Sequence, residues 1–106
     1  MDREQLRDVT LNDDELMREV IEALIDDTAR QLPLLQAAIR AGDAAGAMRL
    51  AHYSKGACAN VGAKAAAATL LNIERSAAAG DFSGCTASLA NLAAEVERLR
   101  AEAIPG

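Results

Sequence analysis

The run Ala41-Gly42-Asp43-Ala44-Ala45-Gly46-Ala47-Met48-Arg49-Leu50-Ala51 and its partial echo, Ala79-Gly80-Asp81-Phe82-Ser83-Gly84-Cys85-Thr86-Ala87-Ser88-Leu89-Ala90, decide the fold. Each copy begins with a glycine suited to the left-handed position just past a helix, followed at once by an aspartate suited to cap the next helix. So short a turn leaves room only for antiparallel neighbours. Two copies are too few for a solenoid, and the Gly three residues after each Asp reads as shared capping chemistry.

Outward from these turns the chain divides into helices at 13–41, 44–60, 63–79 and 82–103. Asn12 caps the first, Glu15 closes a capping box and Leu11 staples to Leu16. Leu16, Val20, Leu24, Leu32, Leu35 and Ile39 keep helical spacing, and Asp13, Glu15, Arg18, Glu19, Glu22 and Asp26 supply the wet face. Pro33 has no N–H for the Ala29 carbonyl, which predicts a kink or short break near it. Gly62 ends the segment that closes with Asn60-Val61, Pro105-Gly106 stops the last helix, and 3–8 has room for a short N-terminal helix. The expected architecture is all-α: one domain over 1–106, an antiparallel up-and-down four-helix bundle whose first helix is long and kinked.

Composition agrees. The chain of 106 residues has 25 alanines and 13 leucines against 13 Val, Ile and Thr together, which favours helices over sheets. That length buries roughly 65% of the unfolded surface, enough for one core. With one Phe, one Tyr and no Trp, the core is Leu, Ile and Ala, and the stacking platforms that bind single strands are missing. A net charge of −5 argues against nucleic acid or an anionic membrane as partner. No signal peptide or apolar span is legible, so a cytoplasmic setting is expected. Cys58 is expected as a small buried residue and Cys85 as a helix residue near a turn; without an acid or histidine cluster at ligand spacing, no metal is expected.

Charge is unevenly distributed. All 16 acids fall in 1–43 or 74–106, so 44–73 carries only Arg49, Lys55 and Lys64. An acidic partner surface accounts for such a segment. The one histidine, His52, lies within it. Helical phase places Ala45, Met48, Arg49, Lys55, Gly56 and Ala59 around His52, with Leu50, Ser54, Ala57 and Val61 opposite, towards the core. A neutral imidazole nitrogen attacks phosphorus and passes the group on readily. Such a site needs an exposed ring nitrogen, a nearby cation and bare backbone for a partner to close over. His52, Lys55 and Gly56 offer all three. A helical glycine costs ~1 kcal/mol relative to alanine, so Gly56 answers either close helix packing or clearance for a partner.

The stretch Ala51-His52-Tyr53-Ser54-Lys55-Gly56-Ala57-Cys58-Ala59-Asn60-Val61-Gly62-Ala63 resembles the signature of histidine-containing phosphotransfer (HPt) domains of bacterial phosphorelays. Leu71-Asn72-Ile73-Glu74, the Ala79-Gly80-Asp81 turn and the long acidic first helix resemble that family too, so the likeness spans 13–103. It implies a four-helix bundle whose exposed histidine takes a phosphoryl group at Nε2 from one receiver-domain aspartate and gives it to another. His52 takes that role, with Lys55 as electrostatic aid and Gly56 as clearance. Some members place a carboxylate or amide against Nδ1, and Glu74 stands at the matching height, twelve residues after Gly62 where His52 is ten before it. An exposed Glu74 paired along its own helix is the alternative. Tyr53 and Cys58 depart from the family's usual Thr- or Ser-like residues, which bears on partner choice more than on chemistry.

The implied partners are receiver domains of response regulators and hybrid sensor kinases, met through Ala45, Met48, Arg49, Ala59 and Lys64 by a monomeric carrier. The receiver brings its own Mg²⁺, so no cofactor is expected on this chain. Nothing resembles a nucleotide loop, so phosphorylation from ATP by the chain itself is not expected. Two rival readings stay open. One is a non-catalytic adaptor that binds a receiver or kinase; the other is the phosphoacceptor domain of a chemotaxis-type kinase, which a start at Met1 and an end at Pro105-Gly106 fit less well.

Overall fold

A computed structural model describes residues 14–60 and 63–103. Four helices account for them: α1 (Asp14–Arg40), α2 (Ala44–Asn60), α3 (Lys64–Ala78) and α4 (Phe82–Ala103). Each packs against its neighbours in sequence, and α4 closes the ring against α1. This is the up-and-down bundle expected from the two short turns. The Asn12 cap, the Leu11 staple, the Gly62 turn and the N-terminal helix at 3–8 fall outside the described residues.

The turns are built as the sequence predicts. Gly42 and Gly80 adopt φ of 68° and 72°, the left-handed region where a Cβ is costly. Asp43 N–H reaches the Ala38 carbonyl at 2.9 Å while Gly42 N–H reaches Ile39 at 3.1 Å, and Asp81 and Gly80 repeat this on Ser76 and Ala77. These are Schellman closures, which satisfy the last carbonyls of α1 and α3. Asp43 Oδ1 then accepts the Gly46 N–H at 2.9 Å, and Asp81 Oδ1 accepts the Gly84 N–H at 2.9 Å. The repeated glycine follows from that bond. A Cβ on Gly46 would come within 2.7 Å of Asp43 Cγ, and one on Gly84 within 2.9 Å of Asp81 Cγ.

α1 remains helical through Pro33. Of the kink or short break expected there, no break forms: Pro33 is exposed, so its ring projects outward, while buried Thr28 and Leu35 on either side hold the helix to the core. The core phase of α1 also differs from the expected one. Met17, Ile21, Leu24, Ile25, Leu35, Ala38 and Ile39 are buried, whereas Leu16 is 41% exposed and Val20 and Leu32 only pack at the margin.

α2 carries a second shift. Its buried residues are Gly46, Ala47, Ala51, Ser54 and Cys58, so only Ser54 of the expected core set is fully buried. Leu50 and Ala57 are half-buried, and Val61 lies outside the described residues. The face is rotated by about 60° because small side chains let the α2 backbone approach its neighbours, which pushes the bulkier Leu50 to the edge. Leu35, Leu70, Ile73, Leu92 and Val96 supply the bulk that α2 lacks, each contributing ~1.5–3 kcal/mol on burial. The polar members of this seam are Thr28, whose Oγ1 lies 4.0 Å from Cys58 Sγ, and Ser54, whose hydroxyl has no partner among the described residues.

Candidate functional site

Because the core face of α2 runs through Ala47, Ala51, Ser54 and Cys58, His52 is turned outward and its side chain is 74% exposed. The antiparallel α2–α3 pairing brings Glu74 alongside. Its Oε1 lies 3.2 Å from His52 Nδ1 and 2.9 Å from Lys55 Nζ. One carboxylate oxygen therefore holds both a ring nitrogen and an ammonium. Glu74 is only 18% exposed and Lys55 26%, so both are better shielded from solvent than an ordinary surface pair.

The chemistry follows from donor and acceptor roles. A carboxylate only accepts, so Nδ1 is the donor in this contact, and in the neutral ring that arrangement leaves the lone pair on Nε2. A ring so held presents its nucleophilic nitrogen outward. Any positive charge that develops on the ring is met by Glu74. The alternative of a Glu74 paired only along its own helix is not what the fold produces.

Gly56 lies one turn after His52 and is exposed; a Cβ built there meets nothing within 4 Å. Packing among the described residues therefore does not require the glycine. Ala45, Met48, Arg49 and Ala59 are exposed on the same helix, giving a surface of small residues and one guanidinium around the ring. Lys64 is also exposed but opens α3. Eight residues, about 12 Å of helix, separate His52 from the end of α2, which places Lys64 outside the His52–Lys55–Glu74 group.

Cys58 and Cys85 are fully buried and unbridged. Burial pushes the Cys58 thiol up, and the Asp27 charge adds to this against an opposing hydrogen bond from Thr28. Burial does the same to Cys85, with Asp81 adding to it. Neither is poised as a nucleophile. Among the described residues no three His, Cys, Asp or Glu side chains converge as a metal site requires. No described helix is long and apolar enough to cross a membrane.

Comparison with known proteins places this geometry. Residues 19–102 match the model of the Hpt domain. The chain belongs to the Hpt domain family. Its fold superimposes on the crystal structure of histidine-containing phosphotransfer protein B (HptB) from Pseudomonas aeruginosa PAO1 with a TM-score of 0.88, at 25% sequence identity, over 97% of this chain and 90% of that one. No curated protein matches the sequence. Hpt domains are carriers of phosphorelays that work with receiver domains of two-component systems, and this Hpt domain has a four-helix bundle with its one histidine outside the core.

Two parts of the surroundings go beyond what the sequence leads one to expect. The first is that Lys55 is bound to Glu74, so the cation beside His52 is already partnered. The signal was present, since Glu74 is the first acid after the acid-free stretch. The second is an apolar groove between α1 and α2, whose walls include Leu34 and Tyr53. Single exposed apolar residues carry no such signal in a sequence.

Proposed function

We propose that this Hpt domain accepts a phosphoryl group on Nε2 of His52 from the phosphorylated aspartate of one receiver domain and hands it to the aspartate of another. The observation that carries the reading is the contact between Nδ1 of an exposed His52 and Glu74, which reserves Nε2 for attack. In the first transfer the Nε2 lone pair forms the N–P bond as the P–O bond to the aspartyl group breaks. The leaving carboxylate keeps the electron pair. No proton need move: Nδ1 retains its hydrogen, and the cationic ring is stabilised by Glu74. The second transfer reverses these steps on a different aspartate.

Lys55 neutralises Glu74, so the incoming phosphoryl group meets a balanced pair instead of a bare carboxylate. Gly56 leaves the approach to the ring open. Receivers of response regulators and hybrid sensor kinases are the partners, and they bring the Mg²⁺ that organises the aspartyl phosphate. The carrier works as a monomer in the cytoplasm, where such receivers act.

The test is to incubate the protein with phosphorylated receivers from the same organism. The wild type should acquire acid-labile, base-stable label, and His52→Gln should acquire none while its helical circular dichroism is unchanged. Equal labelling of the variant overturns the reading; receiver binding without any label would make the protein an adaptor.

A further inference from the structure

Four sulfur-bearing side chains lie among the described residues, and phosphotransfer uses none of them. The fold hides three. Cys58 and Cys85 are fully buried, and burial raises both thiols, so neither offers a thiolate to an oxidant. Met17 is 7% exposed within the core, whereas Met48 is 38% exposed. An oxidant that reaches these residues therefore meets Met48 first.

The exposed sulfur stands beside the phosphoacceptor. Met48 precedes His52 by four residues on α2, a spacing that sets two Cβ atoms about 5–6 Å apart on one face of a helix. The positions around it leave the thioether open. Ala45 on the same helix and Ala78, which stands on α3 one turn beyond Glu74, are both exposed and small.

We propose that Met48 is an oxidant-sensitive modification site, at which a peroxide converts the thioether to a sulfoxide and so weakens phosphotransfer with receivers until reduction restores it. The inference rests on the phosphotransfer reading above. In the forward step a sulfur lone pair attacks one peroxide oxygen, the S–O bond forms as the O–O bond breaks, and the departing oxygen takes the proton of the transferred hydroxyl. With hydrogen peroxide the products are sulfoxide and water, sulfur losing two electrons and peroxide gaining them. A dithiol reverses the change, becoming a disulfide as the oxygen leaves in water; methionine-sulfoxide reductases, one for each epimer, carry this out.

The effect on transfer follows from solvation. A thioether is a weak acceptor that sheds water readily, whereas oxidation makes the side chain polar. A receiver that closes over Nε2 must strip water from the turn before His52, and an unpaired S–O group buried there costs affinity. The ring keeps its own partner. Nδ1 is held by Glu74 on α3, which oxidation of α2 sulfur does not alter, so the change falls on receiver engagement and spares the reactivity of Nε2.

The experiment treats wild type and Met48→Leu with hydrogen peroxide, maps the added oxygen by mass spectrometry and measures labelling in two assays. One uses phosphoramidate, a small donor that needs no docking; the other uses a panel of phosphorylated receivers across a concentration range. Each protein is compared with its own untreated sample. Met48→Leu retains Met1 and Met17, so it reports what their oxidation does. Wild type should oxidise at Met48 at least about tenfold faster than at Met17. Its receiver concentration for half-maximal rate should then rise by about fivefold or more, with the saturated rate within about threefold and phosphoramidate labelling within about twofold of the untreated protein. Treated Met48→Leu should keep its untreated kinetics, the two reductases with a dithiol should restore oxidised wild type, and untreated Met48→Gln should resemble the oxidised protein. Complete oxidation at Met48 with unchanged receiver kinetics, or an equal loss in treated Met48→Leu, overturns the inference alone. So does a Met48 that oxidises no faster than Met17, or an equal loss of phosphoramidate labelling, which would place the damage at the ring. Failure of the untreated wild type to take label from any receiver overturns the phosphotransfer reading beneath it.

Discussion

Glu74 Oε1 stands 3.2 Å from His52 Nδ1, twenty-two residues away in sequence and one helix away in space. The relationship depends on the antiparallel pairing of α2 with α3 and on the small-residue core face of α2, which together turn the imidazole towards α3. A receiving carboxylate selects the tautomer in which Nδ1 carries the proton. Replacing Glu74 with Ala should therefore mix the two neutral tautomers, visible in the ¹⁵N shifts of the imidazole, and slow phosphotransfer by about tenfold or more. Glu74→Gln, whose amide oxygen still accepts, should retain most of the tautomer preference. Identical ring shifts in wild type and Glu74→Ala would leave Glu74 without this role.

Lys55 shares the same oxygen at 2.9 Å. Removing its charge exposes the incoming phosphoryl group to an unbalanced carboxylate, so Lys55→Ala should slow transfer. The Lys55→Ala, Glu74→Gln double variant should then be faster than the product of the two single effects predicts. Multiplicative rate effects would mean that the pair does not act as a unit.

At Gly56 stability and function should separate. A methyl group there meets no atom within 4 Å, so Gly56→Ala should stabilise the fold by about 1 kcal/mol through helix propensity. Gly56→Leu should also fold well, yet slow transfer from receivers because its branched side chain stands where a partner must approach. Wild-type transfer rates in Gly56→Leu would remove the clearance role.

Much of this arrangement is legible in the residues. Gly42-Asp43 and Gly80-Asp81 specify their turns locally, by backbone freedom and a cap, and nothing distant is needed to read them. His52 faces outward as its cationic, small neighbours suggest. What the residues conceal is depth. α2 is rich in alanine and offers little hydropathy contrast, so its core phase is set by how closely α1 and α3 approach, and Ala47, Ala51 and Cys58 take the buried places while Leu50 is left at the edge. Thr28 is buried for a similar reason, packed against Cys58 instead of facing water. The break at Pro33 is absent because buried residues on either side outweigh the loss of one hydrogen bond. The groove walled by Leu34 and Tyr53 exists only once two helices are juxtaposed.

The buried thiols give stability a pH dependence. Burial raises Cys58 above the ordinary thiol value of 9.0, so above that value the unfolded chain releases a proton that the native state retains. Stability is fully present below pH 9 and falls as pH rises from there through the native-state value. The urea midpoint should therefore drop as the pH rises above about 9, and Cys58→Ala should show a shallower drop, whatever its stability at neutral pH. An equal slope in both proteins would assign the pH dependence to other groups.

Phosphotransfer in this protein turns on one atom, Nε2 of His52. It is tested most directly by phosphorylating ¹⁵N-labelled wild-type protein with a phosphorylated receiver and recording ³¹P and ¹⁵N spectra of the product. The product should be a phosphoramidate whose phosphorus couples to Nε2 of His52, with Nδ1 still protonated. Phosphorus coupled to Nδ1, or attached to any other residue, would contradict it.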